Sequence, residues 1–170
     1  MSEFDDRLRQ LEDRAAIEDL VVRYFLAADG DDVGTLRALF APDASFSVSG
    51  QAGGAGCEGV IAFLVEQRRN MGLTVHTPHY VLIGNRTDGR AEGIVGAHLE
   101  LVLGGQSLFG AVRYQDEYVR LDGRWMIARR DMRTIHIAPW QDIDAAFRSE
   151  RPVRWPGTDP RPSDFPRRGD

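Results

Sequence analysis

His79 stands in the stretch VHTPHYVLIGN, residues 75–85, directly after Pro78. The run reads as a strand in which His79 shares a face with Val81 and Ile83. An imidazole on an apolar face is either a core histidine bonded to a backbone carbonyl or a general base. Asp29 is the complementary oddity. It sits in the last turn of a long helical pattern, where a carboxylate is disfavoured by roughly 0.3–1 kcal/mol unless a cation answers it. Asp31 and Asp32 can cap the helix that follows, but Asp29 has no such local use. A helix-end carboxylate and a strand imidazole can satisfy one another. The carboxylate would fix the tautomer and balance the imidazolium, leaving the second ring nitrogen to take a proton.

Three further residues carry usable groups. Tyr24 lies on the same helix, five residues before Asp29; its spacing suits the core, and a buried hydroxyl needs a partner. His98, in EGIVGAHLELV, is a second in-strand imidazole flanked in period two by Gly96 and Glu100. Arg133 is the least readily explained of the arginines near the chain's last strand; Arg129 and Arg130 read as a solvated or ion-paired face. Other signals point away from chemistry. His76 and His79 are three apart in an extended segment, which does not place both on one metal. No glycine-rich phosphate loop precedes a helix. Cys57, before a helix, reads as incidental, and no serine nucleophile is apparent.

These residues need elements to position them. Residues 5–29 have helical periodicity through Leu8, Leu11, Ala15, Leu20, Tyr24 and Ala28, and Gly30 supplies a stop. A short helix follows, DVGTLRALF, capped by Asp31 or Asp32 and ended by Ala41-Pro42. ASFSVSG reads as a short strand, QAGGAGCEG as a loop and GVIAFLVEQRRN as a third helix. Four β-rich runs come next: 75–84, 92–103, 107–120 and 124–137. TDGR, LDGR and Gly104-Gly105 are their turns. Helices followed by an antiparallel meander make an α+β class. Helices on the concave side of a curved sheet leave a pocket, the usual place for a ligand. Residues 1–150 read as one domain. Residues 151–170, with five prolines in twenty residues, read as a tail, either a strap across the surface or disordered.

Composition narrows the function classes. The chain has 170 residues, a net charge of −5, 42% hydrophobic and 28% charged residues. That is an ordinary globular balance, and its sign argues against nucleic acid or an anionic membrane as partner. The single cysteine excludes an internal disulfide. The N-terminus has no apolar signal core, and no run reaches membrane-spanning length. A cytoplasmic enzyme or binding protein is the expectation.

The segments AAIEDLVVRYFLAADGDDVGTLRALFAPDASF, PHYVLIGN and YQDEYVRLDGRW resemble the SnoaL-like group of the NTF2-like superfamily. The resemblance covers nearly all of residues 5–137 and implies a cone-shaped α+β fold, a curved antiparallel sheet with N-terminal helices enclosing a pocket. RYFLAADGDDVGTL is similar to the helix end of bile-acid 7α-dehydratases, and the match falls on Tyr24 and Asp29. HYVLIGN resembles the catalytic-histidine strand of those enzymes, of scytalone dehydratase and of hexachlorocyclohexane dehydrochlorinase; the match is His79. GAHLELV resembles the scytalone dehydratase strand with a second histidine, which falls on His98. Arg133 falls near an active-site arginine of the bile-acid enzymes. Scytalone dehydratase carries tyrosines where this chain has Ala28 and the tyrosine-free stretch 45–48, which argues against scytalone as substrate. The resemblance implies a cofactor-independent, metal-free lyase acting on a small hydrophobic substrate, polycyclic or aromatic. His79 would be the base, Asp29 its partner, and Tyr24, His98 or Arg133 the donor. An isomerase or polyketide cyclase would use the same pair, and a non-catalytic binding or assembly module would need no pair at all. A homo-oligomer is implied, a trimer ahead of a dimer.

Overall fold

A computed structural model describes residues 3–87 and 89–166. Four helices, α1 (Glu3–Asp29), α2 (Val33–Leu39), α3 (Cys57–Arg68) and α4 (Ile143–Arg148), accompany six strands. The strands are β1 (Phe40–Val48), β2 (Gln51–Ala55), β3 (Met71–Thr87), β4 (Arg90–Leu103), β5 (Gln106–Leu121) and β6 (Arg124–Pro139). They form one sheet in the order β2-β1-β6-β5-β4-β3. Neighbours are antiparallel except β1 and β6, which run parallel. The class is α+β. The expected meander is β3 to β6, and the parallel edge follows because α3 carries the chain from β2 across to the far edge.

The last two of the three hairpin turns behave as read. Gly104 and Gly105 have φ of 56° and 78°, and Asp122 and Gly123 have 49° and 78°, the double left-handed pair of a two-residue hairpin. TDGR includes Asp88, which lies outside the described residues. Shifts in register interrupt β1, β3, β5 and β6, and such bulges bend a sheet. The sheet curves around α1.

Only the C-terminal half of α1 is buried, through Ile17, Leu20, Val21, Tyr24, Phe25 and Ala28. Leu8 and Leu11 are exposed, so the apolar stripe begins later than its periodicity implies. Asp13 anchors the helix midway, accepting from Trp125 Nε1 at 2.8 Å and Arg120 at 3.1 Å. Gly30 is not the left-handed stop. That conformation falls on Asp31, φ 54°, while Asp32 caps α2 by accepting from the Thr35 N–H at 2.9 Å. The glycine-rich stretch 51–55, expected as a loop, is a strand. A Cβ on Gly53 would lie 2.7 Å from the Phe63 ring, and one on Gly54 2.5 Å from the Gly59 carbonyl. The glycines are there because α3 packs directly on the strand backbone.

The described part of the tail, residues 151–166, is a strap. Val153 is fully buried and bridges both Ile137 and Arg161. Asp164 accepts from the Thr134 N–H at 2.7 Å and from Ser49 Oγ at 2.6 Å, and Trp155 packs on the core.

Candidate active site

Asp29, the last residue of α1, meets the first half of β3. Nδ1 of His76 lies 2.5 Å from Asp29 Oδ1, and the His76 backbone N–H donates to Oδ2 at 2.8 Å. The imidazole stacks on Phe25, with centroids 5.1 Å apart and planes 22° apart. Burial pushes the Asp29 carboxyl up, but the His76 side chain, its backbone N–H, its charge and Thr74 outweigh that and hold it below the usual value. The carboxylate is therefore ionised at neutral pH. It keeps the ring proton on Nδ1 and makes Nε2 the basic atom. The partner missing at the helix end is an imidazole.

That imidazole is not the one expected. The pairing of Asp29 with His79 is corrected to Asp29 with His76. Pro78 pairs with Ala97 and Tyr80 with Gly96, so His79 is the extra residue of a bulge. The bulge breaks the alternation that put His79 on a face with Val81 and Ile83. His79 is exposed and its ring lies 3.9 Å from that of His98, edge to face. His98 in turn contacts Phe109 at 5.1 Å. Burial and the charge of His79 both lower the His98 pKa. These two histidines do not line the cavity described next, and neither does Arg133, which pairs with Asp131 beside Gly50.

A cavity of about 530 Å³ opens between the helices and the concave sheet face. Leu36, Phe46, Phe63, Leu99, Leu101 and Met132 make it apolar, and Trp155, Pro156 and Thr158 from the tail also line it. Its polar groups are few: Tyr24, Gln51, Gln67, Arg68, Thr74, His76, Glu100, Tyr114 and Thr158. An apolar chamber with converging polar groups is the usual form of a ligand pocket. Among the described residues no group of three or more His, Cys, Asp or Glu is arranged to hold a metal ion.

Tyr24, expected at the site, is there. Burial raises its hydroxyl pKa, partly offset by Arg130, so the hydroxyl stays protonated and can donate. Tyr114, on the same wall, is raised well above its ordinary value by burial. Beneath both lies Arg130, fully buried, its guanidinium 4.1 Å from the Tyr24 ring and 4.8 Å from the Tyr114 ring. Asp116 accepts from it twice, at 2.9 and 2.6 Å. Its Nη1 has no hydrogen-bond partner among the described residues. Of the solvated or ion-paired face read for Arg130, the ion pair is present, but it is buried with Asp116.

The sequence held a weak signal for His76. It alternates with Thr74 and Pro78 rather than with an apolar set, and so reads as outward. Its partner on β4 is Leu99, and Thr74 pairs with Leu101. Those are the core-facing leucines of LELVL, so cross-strand register would have turned His76 inward.

Residues 9–131 match the SnoaL-like domain family. The γ-hexachlorocyclohexane dehydrochlorinase of Sphingobium indicum is 29% identical over 142 residues, 82% of this chain and 91% of that enzyme. Among solved structures, the hexachlorocyclohexane dehydrochlorinase LinA-type3 from Novosphingobium barchaimii is similar at 26% identity and a TM-score of 0.72, covering 78% of this chain and 93% of that one. A Mycobacterium tuberculosis protein of unknown function shares the fold, with 22% identity, a TM-score of 0.67, and 84% and 80% of the two chains covered.

Proposed function

We propose that this chain, which belongs to the SnoaL-like domain family, is a cofactor-independent lyase acting on a hydrophobic ring substrate, with His76 as general base. The observation that carries the proposal is His76 held by Asp29 on the wall of an apolar cavity. Nε2 takes a proton from carbon, the C–H electrons form the new π bond, and the bond to the leaving group breaks. A halide departs as the anion; a hydroxyl departs as water after accepting a proton, for which Tyr24 is the donor. Asp29 balances the imidazolium. Base catalysis of this kind contributes about 10²–10⁴-fold, and the apolar walls keep both charges unscreened. The similarity to dehydrochlorinases supports elimination rather than isomerisation. No role in this reaction is given to His79, His98 or Arg133.

The experiment is product analysis on a panel of hydroxylated and halogenated cyclic compounds. Loss of water or halide supports the lyase. A product of unchanged mass would make the protein an isomerase or cyclase using the same pair. No turnover on any member, with His76→Ala binding as the wild type does, would support a non-catalytic module. We also propose self-association through the sheet, where Leu73, Tyr80 and Leu82 of β3 are exposed; sedimentation equilibrium tests it.

A further inference from the structure

Arg68 ends α3 and is one of the groups lining the cavity. Its side chain is only 16% exposed, although its sequence position suggested no more than a basic residue suited to a helix terminus. Two contacts fix it. Nε donates to Asp31, the left-handed residue just past α1, and Nη1 donates to the Thr74 hydroxyl at 3.3 Å. Thr74 also helps to hold the Asp29 carboxyl low. Arg68, Thr74 and His76 thus line one stretch of wall in one chamber. Nη2 of Arg68 has no hydrogen-bond partner among the described residues.

The geometry points to Arg68 as the seat of a neutral carbonyl oxygen on the substrate, so that the ring compound is a ketone whose acidic carbon is presented to His76. This rests on the lyase reading of the same site. Arg68 is already neutralised by Asp31, and Asp29 stands close behind His76 as a further negative charge. A carboxylate-bearing ligand would meet that charge. A ketone would not, and its oxygen becomes negative only as the proton leaves carbon. A guanidinium N–H held in place before the reaction stabilises that developing charge. The proton passes from carbon to Nε2, the C–H pair moves into the C–C bond, and the carbonyl π pair moves onto oxygen beside Arg68. Collapse of this enolate then expels a leaving group on the next carbon. A purely halogenated hydrocarbon lacks the oxygen and makes no use of Arg68.

The test is a binding measurement that needs no turnover. 2-Acetylnaphthalene and 2-isopropenylnaphthalene have nearly the same shape and differ in C=O against C=CH₂. Wild-type protein is expected to prefer the ketone by roughly tenfold to a hundredfold in Kd, the range for a hydrogen bond to a charged donor. Arg68→Met is expected to bring the ratio to about one while leaving the alkene Kd within about twofold, which also reports that the variant is folded. His76→Ala is expected to keep the preference, separating Arg68 from the imidazole as its source. Should Arg68→Met not fold, Arg68→Gln is read on the same pair and is expected to lose most of the preference. Equal wild-type affinities, no saturable binding of the ketone, or a preference surviving loss of the guanidinium would overturn the assignment. Failure of His76→Ala to affect turnover would instead remove the lyase reading and leave this measurement standing.

Discussion

Nδ1 of His76 and Oδ1 of Asp29 are 2.5 Å apart, and the backbone N–H of the same histidine holds the other carboxylate oxygen at 2.8 Å. One strand residue therefore grips both oxygens of one helix-end carboxylate. The ring cannot turn without breaking this arrangement, and stacking on Phe25 restrains it further. A base fixed in this way presents the same nitrogen to every substrate, which is where positional catalysis begins.

On a ring substrate identified by product analysis, His76→Ala is expected to lower kcat about 10²–10⁴-fold. Asp29→Asn is expected to lose a large share of the same factor, because the amide can stabilise neither the tautomer nor the imidazolium. His79→Ala and His98→Ala should stay within about threefold of wild type, since both rings sit outside the cavity. Steady-state kinetics on the four variants checks this.

Trp155 lines the cavity while packing on the core. Trp155→Ala is expected to raise KM more than it lowers kcat, and to destabilise the fold by about 1–3 kcal/mol, below the value for a fully buried tryptophan because the side chain is partly exposed. Kinetics and urea unfolding read the two effects separately. An unchanged KM would show that the strap does not shape the substrate site.

Gly53 and Gly54 differ in what they face. The Cβ of a Gly53→Ala variant would meet the Phe63 ring, which can move, whereas that of Gly54→Ala would meet backbone of α3. Overpacking of this kind costs typically about 1–3 kcal/mol, and Gly54→Ala is expected to be the costlier of the two. Paired chemical denaturation curves check the order.

The carboxyl of Asp164 is raised by burial but lowered more by Ser49, the Thr134 N–H and Arg161, ending below its ordinary value. A depressed folded-state pKa gives stability that is present above the unfolded value, about 3.9, and is lost as pH falls through the folded one. Wild-type stability should thus fall below about pH 4, and Asp164→Asn should be weaker at pH 7 with a shallower acid loss. Unfolding free energy against pH for the two proteins checks it; parallel curves would contradict it.

Much of the architecture was legible because it rests on local chemistry. The helical spacing of Leu20, Tyr24 and Ala28, the Asp-Gly and Gly-Gly turns and the long β-rich runs need no tertiary information. Asp29 was legible for the same reason, as a charge in the wrong place on a helix. What failed depended on distant contacts. The side of the sheet taken by His79 is set by a bulge opposite Ala97 and Gly96, which period-two alternation cannot register. The strand at 51–55 exists because α3 lies on its glycines, and its composition alone reads as a loop. The settings of Arg68 and Arg130 were not legible because their partners, Asp31, Thr74 and Asp116, come from other elements.

Low-field proton and nitrogen NMR of the four histidines tests the central claim most directly. His76 is expected to show an Nδ1-bound proton shifted downfield, and to lose that signal in Asp29→Asn but keep it in His79→Ala. A signal that follows His79, or a His76 resonance indifferent to Asp29, would contradict the account.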